Sequence, residues 1–235
     1  MNQKEIFDII GGKPAFTLDI KGWLIYYNLI LDKILLHLDS AKYSSSLAFH
    51  DNLTEFEKYV VLLEDKRYFN HRGVDLYFIP RALKQLVTRK RIGGISTIEQ
   101  QYIRTILNRK ERTLSRKHRE IILSWLLAHR ACKKEVLKSY LGSAYFGYKI
   151  NSCDEASLVL FRKNANEAKA EEAALLASLL VYPLPKQVIH EIKEKNIQTP
   201  ININNFFQVS SLVAPNWSSK ISRRLRFAIS LSQAK

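Results

Sequence analysis

Apolar residues along this chain recur three and four residues apart, which is the spacing of one face of an α-helix. The clearest case begins at Thr54, which forms a capping-box pattern with Glu57. The apolar face that follows consists of Phe56, Tyr59, Val60 and Leu63. The pattern therefore predicts a helix that starts near Thr54 and ends near Glu64.

The same periodicity continues through most of the chain, whereas strand signals are weak, so the expected fold class is mainly α. The predicted helices cover 81–91, 98–108, 114–131, 133–141 with Gly142 as the stop, Asn166 to Pro183, and 220–232. Segment 195–219 is rich in Asn, Ser, Gln and Pro and is predicted to be loop.

Segment 21–38 is the most apolar part of the chain, but Asp32, Lys33 and His37 interrupt it. Its uninterrupted apolar run is too short to span a bilayer. The segment is predicted to be either a partly buried core helix or an interfacial helix, and both alternatives fit its amphipathic pattern. The first 16 residues lack the basic start and long apolar run of a secretory signal.

Composition indicates a folded globular protein, because 46% of the 235 residues are hydrophobic and 25% are charged. A chain of this length suits one domain. Cys132 and Cys153 lack metal-ligand spacing, and both are predicted to be small core residues.

Positive charge is concentrated in one quarter of the chain. The net charge is +15, and residues 81–138 contain 16 lysines and arginines against four glutamates. Such a local field favours an anionic partner. Nucleic acid, an acidic membrane surface and a phosphorylated substrate are the three candidates.

Two carboxylates lie next to basic residues. Glu64 ends a predicted helix and precedes a basic run, and Glu120 shares a helix face with Arg112 and Arg116. Alone, each pattern is also typical of surface ion pairs. Segment 93–105 adds hydroxyl and amide groups beside Arg104, a combination that suits a sugar–phosphate substrate.

Five motifs in this order resemble glycosyltransferase family 51, the peptidoglycan glycosyltransferase domain of penicillin-binding proteins and monofunctional transglycosylases. They are EDKRYFNHRG (64–73), RA (81–82), GISTIEQQ (94–101), ERTLSRKHRE (111–120) and KKEVLKSYLGSAYFG (133–147). The stretch EEAALLASLLVYP (171–183) resembles the family's closing helix. Three positions depart from the family pattern: Ile95 replaces a glycine, Arg104 a lysine, and Gly142 an asparagine.

The resemblance implies a lysozyme-like, mainly α-helical fold with a larger globular lobe and a small membrane-facing lobe. Residues 54–186 would form the glycosyltransferase domain. A segment with an amphipathic helix, 1–53, would precede it, and a C-terminal loop and basic helix, 187–235, would pack on it. The expected location is the outer face of the bacterial inner membrane, although no signal peptide or clear transmembrane helix is visible in the sequence.

The resemblance also implies an activity, the polymerisation of lipid II into β-1,4-linked glycan with release of undecaprenyl pyrophosphate and inversion. The expected partners are lipid II, the growing lipid-linked glycan chain and the membrane surface, with no nucleic acid. A divalent cation, Mg²⁺ or Mn²⁺, at the pyrophosphate is an option, and no organic cofactor is expected.

Each catalytic role implied by the resemblance has a chemical reason. A sugar hydroxyl needs a base and a pyrophosphate leaving group needs cations. Glu64 is expected to be the base, and Glu120 to orient the cations or a metal that bridges the phosphates. The expected pyrophosphate ligands are Arg104, Arg112, Arg116 and Lys117. The other expected substrate-binding residues are Asp65, His71, Ser96, Thr97, Gln100 and Gln101.

Three other functions stay open at this point. A lysozyme-like glycan-cleaving enzyme also uses carboxylates, but it has no need for the basic quarter of the chain. A nucleic-acid-binding module fits the pI of 9.8 but gives no reason for the two glutamates. A catalytically weakened homologue that only binds lipid II is consistent with Ile95 and Gly142.

Overall fold

The computed structural model describes residues 20–41, 45–49, 51–78, 96–108, 113–194 and 200–233. These residues form ten α-helices and four short 3₁₀-helices, and they contain isolated β-bridges but no strand. The mainly α fold class predicted from the sequence is confirmed. The helix predicted over 81–91 lies outside the described residues.

The ten helices follow one another through the described ranges. They are α1 (Ile20–Ala41), α2 (Glu55–Glu64), α3 (Ile98–Ile106), α4 (Leu114–Arg130), α5 (Lys133–Ser143), α6 (Cys153–Phe161), α7 (Ala170–Leu179), α8 (Lys186–Glu194), α9 (Ile203–Val213) and α10 (Pro215–Gln233). The 3₁₀-helices are Ser46–Phe49, Tyr68–Asn70, Leu76–Phe78 and Ala165–Glu167.

The chain divides into two compact units. The first unit consists of Met1–Lys42 and Arg67–Tyr140, and the second consists of Tyr43–Lys66 and Leu141–Lys235. The sequence predicted three consecutive segments, 1–53, 54–186 and 187–235, whereas each compact unit combines two separate stretches of the chain. The predicted division stays a prediction.

The first unit is built on α4, against which both α1 and α3 pack. Helix α1 is the apolar segment predicted over 21–38. Its buried face consists of Tyr27, Ile30, Leu31, Ile34 and Leu38. Its other face leaves apolar side chains exposed, namely Leu24, Ile25, Leu29 and Leu36. The core-helix alternative therefore describes one side of α1, and the exposed side keeps the interfacial alternative open.

No helix among the described residues has both the length and the apolar character needed to cross a membrane. This agrees with the sequence prediction for segment 21–38.

The second unit is built around α7, which α2 and α10 contact. Seven consecutive residues of α7, from Ala173 to Leu179, are buried, which explains why this helix is apolar on all sides. The predicted capping box of α2 is present, since Glu57 N donates to Thr54 Oγ1 at 3.3 Å and Thr54 N donates to Glu57 Oε2 at 2.8 Å.

The start predicted for α7 at Asn166 is wrong. Asn166 lies in the 3₁₀-helix Ala165–Glu167, and α7 begins only at Ala170. The backbone N–H of Lys169 donates to the carboxylate of Glu172 at 2.7 Å, which caps the helix there. The stop predicted at Gly142 is also wrong, because Gly142 lies within α5, which continues to Ser143.

The loop predicted over 195–219 is wrong from residue 203 onward, because α9 and the start of α10 occupy that part, and 195–199 lie outside the described residues. Asn202 caps α9 by accepting hydrogen bonds from the backbone N–H groups of Asn204 and Asn205. Pro215 begins α10, a position that proline favours because the first N–H of a helix needs no intrahelical partner. Packing of α9 on α10 then stabilises two helices that lack strong propensity.

Cys153 is buried as predicted, but the prediction for Cys132 is wrong because this residue is exposed. Cys132 lies in the two-residue connection between α4 and α5.

Gly73 allows the backbone of the 67–77 segment to pack directly against the backbone of α4. Its φ angle is +75°, and a Cβ atom there would lie 2.0 Å from the carbonyl oxygen of Ser124. Its own carbonyl oxygen accepts a hydrogen bond from Thr97 Oγ1 at 2.7 Å, just before α3. A side chain at this position is therefore excluded by both backbone geometry and space.

We expect Gly73→Ala to lower the free energy of unfolding by roughly 2–4 kcal/mol, because alanine adds left-handed strain and a backbone clash. Urea unfolding followed by circular dichroism measures the change. Gly22→Ala is the matched control, because Gly22 is exposed within α1 and alanine favours a helix. Equal stabilities for the two variants would contradict this account of Gly73.

Candidate active site

Glu120 lies at the centre of a charged cluster in the first unit. Its side chain is only 3% exposed. Arg104 donates to both of its oxygens, from Nε to Oε1 at 2.9 Å and from Nη2 to Oε2 at 3.1 Å. Arg116 also donates to Oε1, and Lys117 Nζ lies 3.6 Å from Oε2. One buried carboxylate thus holds three cations, and the cluster keeps an excess of positive charge.

The start of α3 adds uncharged groups to this cluster. Ser96 Oγ accepts hydrogen bonds from Arg104 Nη2 at 3.2 Å and from Lys117 Nζ at 3.1 Å. Gln100 is buried, and its side-chain oxygen also accepts from Lys117. The hydroxyl and amide oxygens therefore orient the cations without neutralising them.

Local sequence explains why these side chains meet. Thr113 caps α4 by accepting from the backbone N–H of Arg116 at 3.2 Å. Arg116 and Glu120 are then one turn apart on the same helix face. Arg104 lies in the last turn of α3, which packs on α4, so its guanidinium reaches Glu120 from the neighbouring helix.

Burial and mutual repulsion act on the cations of this cluster. Burial lowers the pKa of Lys117, while Glu120 opposes this shift and the two arginines add to it. For Arg104, the hydrogen bond to Glu120 raises the pKa more than burial lowers it. A further anion beside these partly desolvated cations would relieve their repulsion.

Two other predicted substrate-binding residues make contacts within the protein. Thr97 is buried, donates to the Gly73 carbonyl and caps α3 by accepting from the backbone N–H of Gln100. The side-chain oxygen of Gln101 accepts a hydrogen bond from the Tyr140 hydroxyl at 2.7 Å. Their predicted contacts with substrate stay predictions.

Glu64 is the last residue of α2, in the second unit. Its Oε1 accepts a hydrogen bond from Arg224 Nη2, and the two side chains are 10% and 19% exposed. Sequence reasoning missed Arg224, because only the basic composition of α10 distinguished it. The contact places a charged hydrogen-bond donor beside the carboxylate that is expected to be the base.

Asp65 and His71 come from the same motif but lie in different units. Asp65 is buried, and its backbone N–H closes α2 by donating to the Val61 carbonyl at 3.1 Å. His71 Nδ1 lies 3.5 Å from Lys133 Nζ, which also donates to the buried carboxylate of Glu99. The pair of Lys133 and Glu99 was missed by sequence reasoning. Burial raises the pKa of Glu99, and Lys133 opposes that shift.

The structure brings together half of the predicted site residues around one carboxylate. These are Ser96, Gln100, Arg104, Arg116, Lys117 and Glu120. Arg112 and Ile95 lie outside the described residues. Glu64 and Glu120 belong to different units, so a cleft shared by both carboxylates stays a prediction.

A family model described as Transglycosylase matches residues 32–202, which is most of the chain. The chain belongs to the transglycosylase family. The family resemblance that the five motifs predicted is thereby confirmed, as is the enzyme class predicted with it, a glycosyltransferase domain of peptidoglycan synthesis.

Penicillin-binding proteins are among the relatives of this transglycosylase domain. Penicillin-binding protein 1A of Rickettsia bellii (strain RML369-C) is 32% identical over 130 residues, which cover 54% of this chain and 16% of the relative. Penicillin-binding protein 1A of Neisseria gonorrhoeae is 26% identical over 169 residues, which cover 72% of this chain and 21% of the relative. The chain therefore spans a small part of the length of these relatives.

We expect Glu120→Gln to lower the free energy of unfolding of the transglycosylase domain by about 3 kcal/mol, because three neighbouring cations lose their buried counter-charge. Thermal or urea unfolding measures the loss, which should become smaller at high salt. Glu55→Gln is the matched control, since Glu55 forms an exposed pair with Lys58 that contributes under about 1 kcal/mol. Identical unfolding of both variants would mean that Glu120 does not organise the cluster.

Proposed function

We propose that this transglycosylase domain polymerises lipid II into β-1,4-linked glycan strands and releases undecaprenyl pyrophosphate. The donor sugar is α-linked to pyrophosphate, and attack from the opposite face inverts that carbon. The observation that carries the proposal is the Glu120 cluster, in which a buried carboxylate orients three cations and leaves positive charge for an anion.

The cations supply what the leaving group needs. As the glycosidic bond to pyrophosphate breaks, negative charge grows on the phosphate oxygens. Each arginine carries five N–H groups, more than its contacts with Glu120 and Ser96 use, so both can also donate to such oxygens, and Lys117 adds a compact charge. Because Glu120 and Ser96 already fix their positions, little reorganisation is needed when the charge develops.

Glu64 supplies the base in this proposal. The 4-hydroxyl of the acceptor's N-acetylglucosamine is a poor nucleophile until a base takes its proton. Arg224 donates a hydrogen bond to the Glu64 carboxylate and so helps to hold it in position. The two glutamates have different tasks in this proposal, because Glu120 orients three cations and Glu64 takes the proton.

A divalent cation held by Glu120 is a poor fit to these residues. Both carboxylate oxygens of Glu120 already accept hydrogen bonds from Arg104, and the three surrounding cationic side chains would repel a metal ion. In the proposed reaction the arginines and Lys117 therefore take the charge-neutralising role. No step of the proposed reaction depends on Mg²⁺ or Mn²⁺ at the pyrophosphate.

The lipid-linked substrate requires the domain to work at a membrane surface, on the outer face of the bacterial inner membrane. The exposed apolar side chains of α1, such as Leu24, Ile25 and Leu29, support this part of the proposal.

We expect Glu64→Gln to reduce glycan synthesis by roughly 10²–10⁴-fold with little change in lipid II binding, because glutamine keeps the size of the side chain but cannot take a proton. Gel analysis of glycan chains made from labelled lipid II measures synthesis. Glu55→Gln, on the same helix, is the control and should polymerise normally. Normal synthesis by Glu64→Gln would exclude Glu64 as the base. Cleavage of finished glycan without synthesis would favour a hydrolase.

Arg104→Ala should weaken lipid II binding and turnover together, each by roughly 10–100-fold, because a charged hydrogen-bond donor to the pyrophosphate is lost. The difference in lipid II affinity between Arg104→Ala and the unmutated domain should become smaller as the salt concentration rises. Screening by salt weakens the contact of Arg104 with pyrophosphate in the unmutated domain. Arg104→Lys keeps the charge but not the paired contacts with Glu120, so its losses should be smaller than those of Arg104→Ala. Equal losses in the lysine and alanine variants would show that charge at this position is not what matters.

A further inference from the structure

The first unit contains a cavity of about 740 Å³ that the proposed reaction does not use. Helices α1 and α4 and the 67–77 segment form its walls, and its volume is typical of sites that hold small organic ligands. The apolar lining includes Trp23, Leu24, Tyr27, Ile121, Trp125 and Leu126. None of the described residues of the Glu120 cluster lines it, although His71, one of the expected substrate-binding residues, does.

The apolar walls of this cavity are open to solvent. Leu24 and Trp125 are each 52% exposed, and Tyr77 is 74% exposed. The rings of Trp23 and Tyr27 lie 4.4 Å apart by their centroids, which makes a continuous aromatic surface on α1. Contiguous exposed apolar surface of this kind marks a binding site for an apolar ligand or partner.

Charge within the cavity is confined to one wall. Among the described lining residues, those from α1 and α4 are all uncharged, whereas the 67–77 segment contributes Arg67, His71, Arg72 and Asp75. Arg67 Nε lies 3.3 Å from Asp75 Oδ2, and its guanidinium lies 3.6 Å above the Tyr77 ring, so Asp75 offsets its charge. The exposed Arg72 therefore gives this wall its net positive charge.

An apolar cavity with one positively charged wall matches an anionic amphiphile. We propose that it binds a single anionic phospholipid of the bilayer, with an acyl chain between α1 and α4 and the phosphate beside Arg72. One excess arginine matches a phosphodiester, which carries one negative charge, better than a pyrophosphate, for which the proposed site offers three cations. The bound lipid would hold this face of the first unit at the membrane independently of catalysis.

Native mass spectrometry of the full chain in neutral micelles tests this proposal. With equal amounts of phosphatidylglycerol and phosphatidylcholine, we expect one phosphatidylglycerol to be retained per chain, with roughly fivefold preference over phosphatidylcholine. Arg72→Gln should remove the preference. Arg130→Gln, exposed at the end of α4 and absent from the cavity wall, is the control and should keep it. An unchanged preference in Arg72→Gln would overturn the assignment of the phosphate to this residue.

A second pair of variants separates the cavity from the exposed surface. Asn28 lines the cavity, and its side chain hydrogen-bonds only locally, to the Leu24 carbonyl at 3.0 Å. Asn28→Phe should fill part of the cavity and reduce lipid retention by roughly tenfold. This is about the effect expected when two methylene groups of the acyl chain can no longer be buried. Leu29→Phe, at the next position of α1 but outside the lining, should keep its lipid.

Binding in the cavity and binding to the exposed face of α1 predict opposite changes in lipid retention for Asn28→Phe. If lipid binds only to the exposed face of α1, the added phenyl ring enlarges that face and retention rises. Retention in Asn28→Phe equal to or above that of Leu29→Phe would therefore overturn the cavity site. Thermal unfolding of both variants checks that they fold, and the Arg72→Gln result stands whether or not Asn28→Phe is stable.

Discussion

The buried carboxylate of Glu120 is the interaction on which the charge arrangement of the first unit depends. Arg104, Arg116 and Lys117 come from adjacent turns of two packed helices and would repel one another without a shared counter-charge. Both carboxylate oxygens are occupied by Arg104, so the side chain also fixes how α3 lies on α4. The same contacts that stabilise this helix pair therefore keep three cations in place for a substrate anion.

Electrostatic surroundings give the two glutamates of the candidate site different chemical capacities. Glu120 is surrounded by cations that already use its lone pairs, so it is suited to positioning other groups. Glu64 hydrogen-bonds to Arg224 through one oxygen, and α10 supplies that arginine from a part of the sequence far from α2. In the proposed reaction α10 thus contributes a contact to the base, although none of the five motifs includes this helix.

Local signals predicted the parts of the fold and site that depend on neighbouring residues. The capping box of Thr54 and Glu57 and the pairing of Arg116 with Glu120 both involve spacings of three or four residues, and both are present. The parts that were missed depend on distant packing. Helix α9 forms within a polar segment because it packs on α10, and Arg224 meets Glu64 across 160 residues of sequence. Neither contact leaves a periodic pattern that sequence reasoning could use.

Helix α7 has a consequence for the order in which the second unit comes apart. Its residues from Ala173 to Leu179 are buried on every side, and the Ser178 hydroxyl donates to the Ala174 carbonyl inside the helix. Backbone amides in such a helix meet water when the helices packed on it, which include α2, α6 and α10, separate from it. In hydrogen–deuterium exchange, α7 should therefore be the last element of the second unit to take up deuterium, at a rate set by global unfolding.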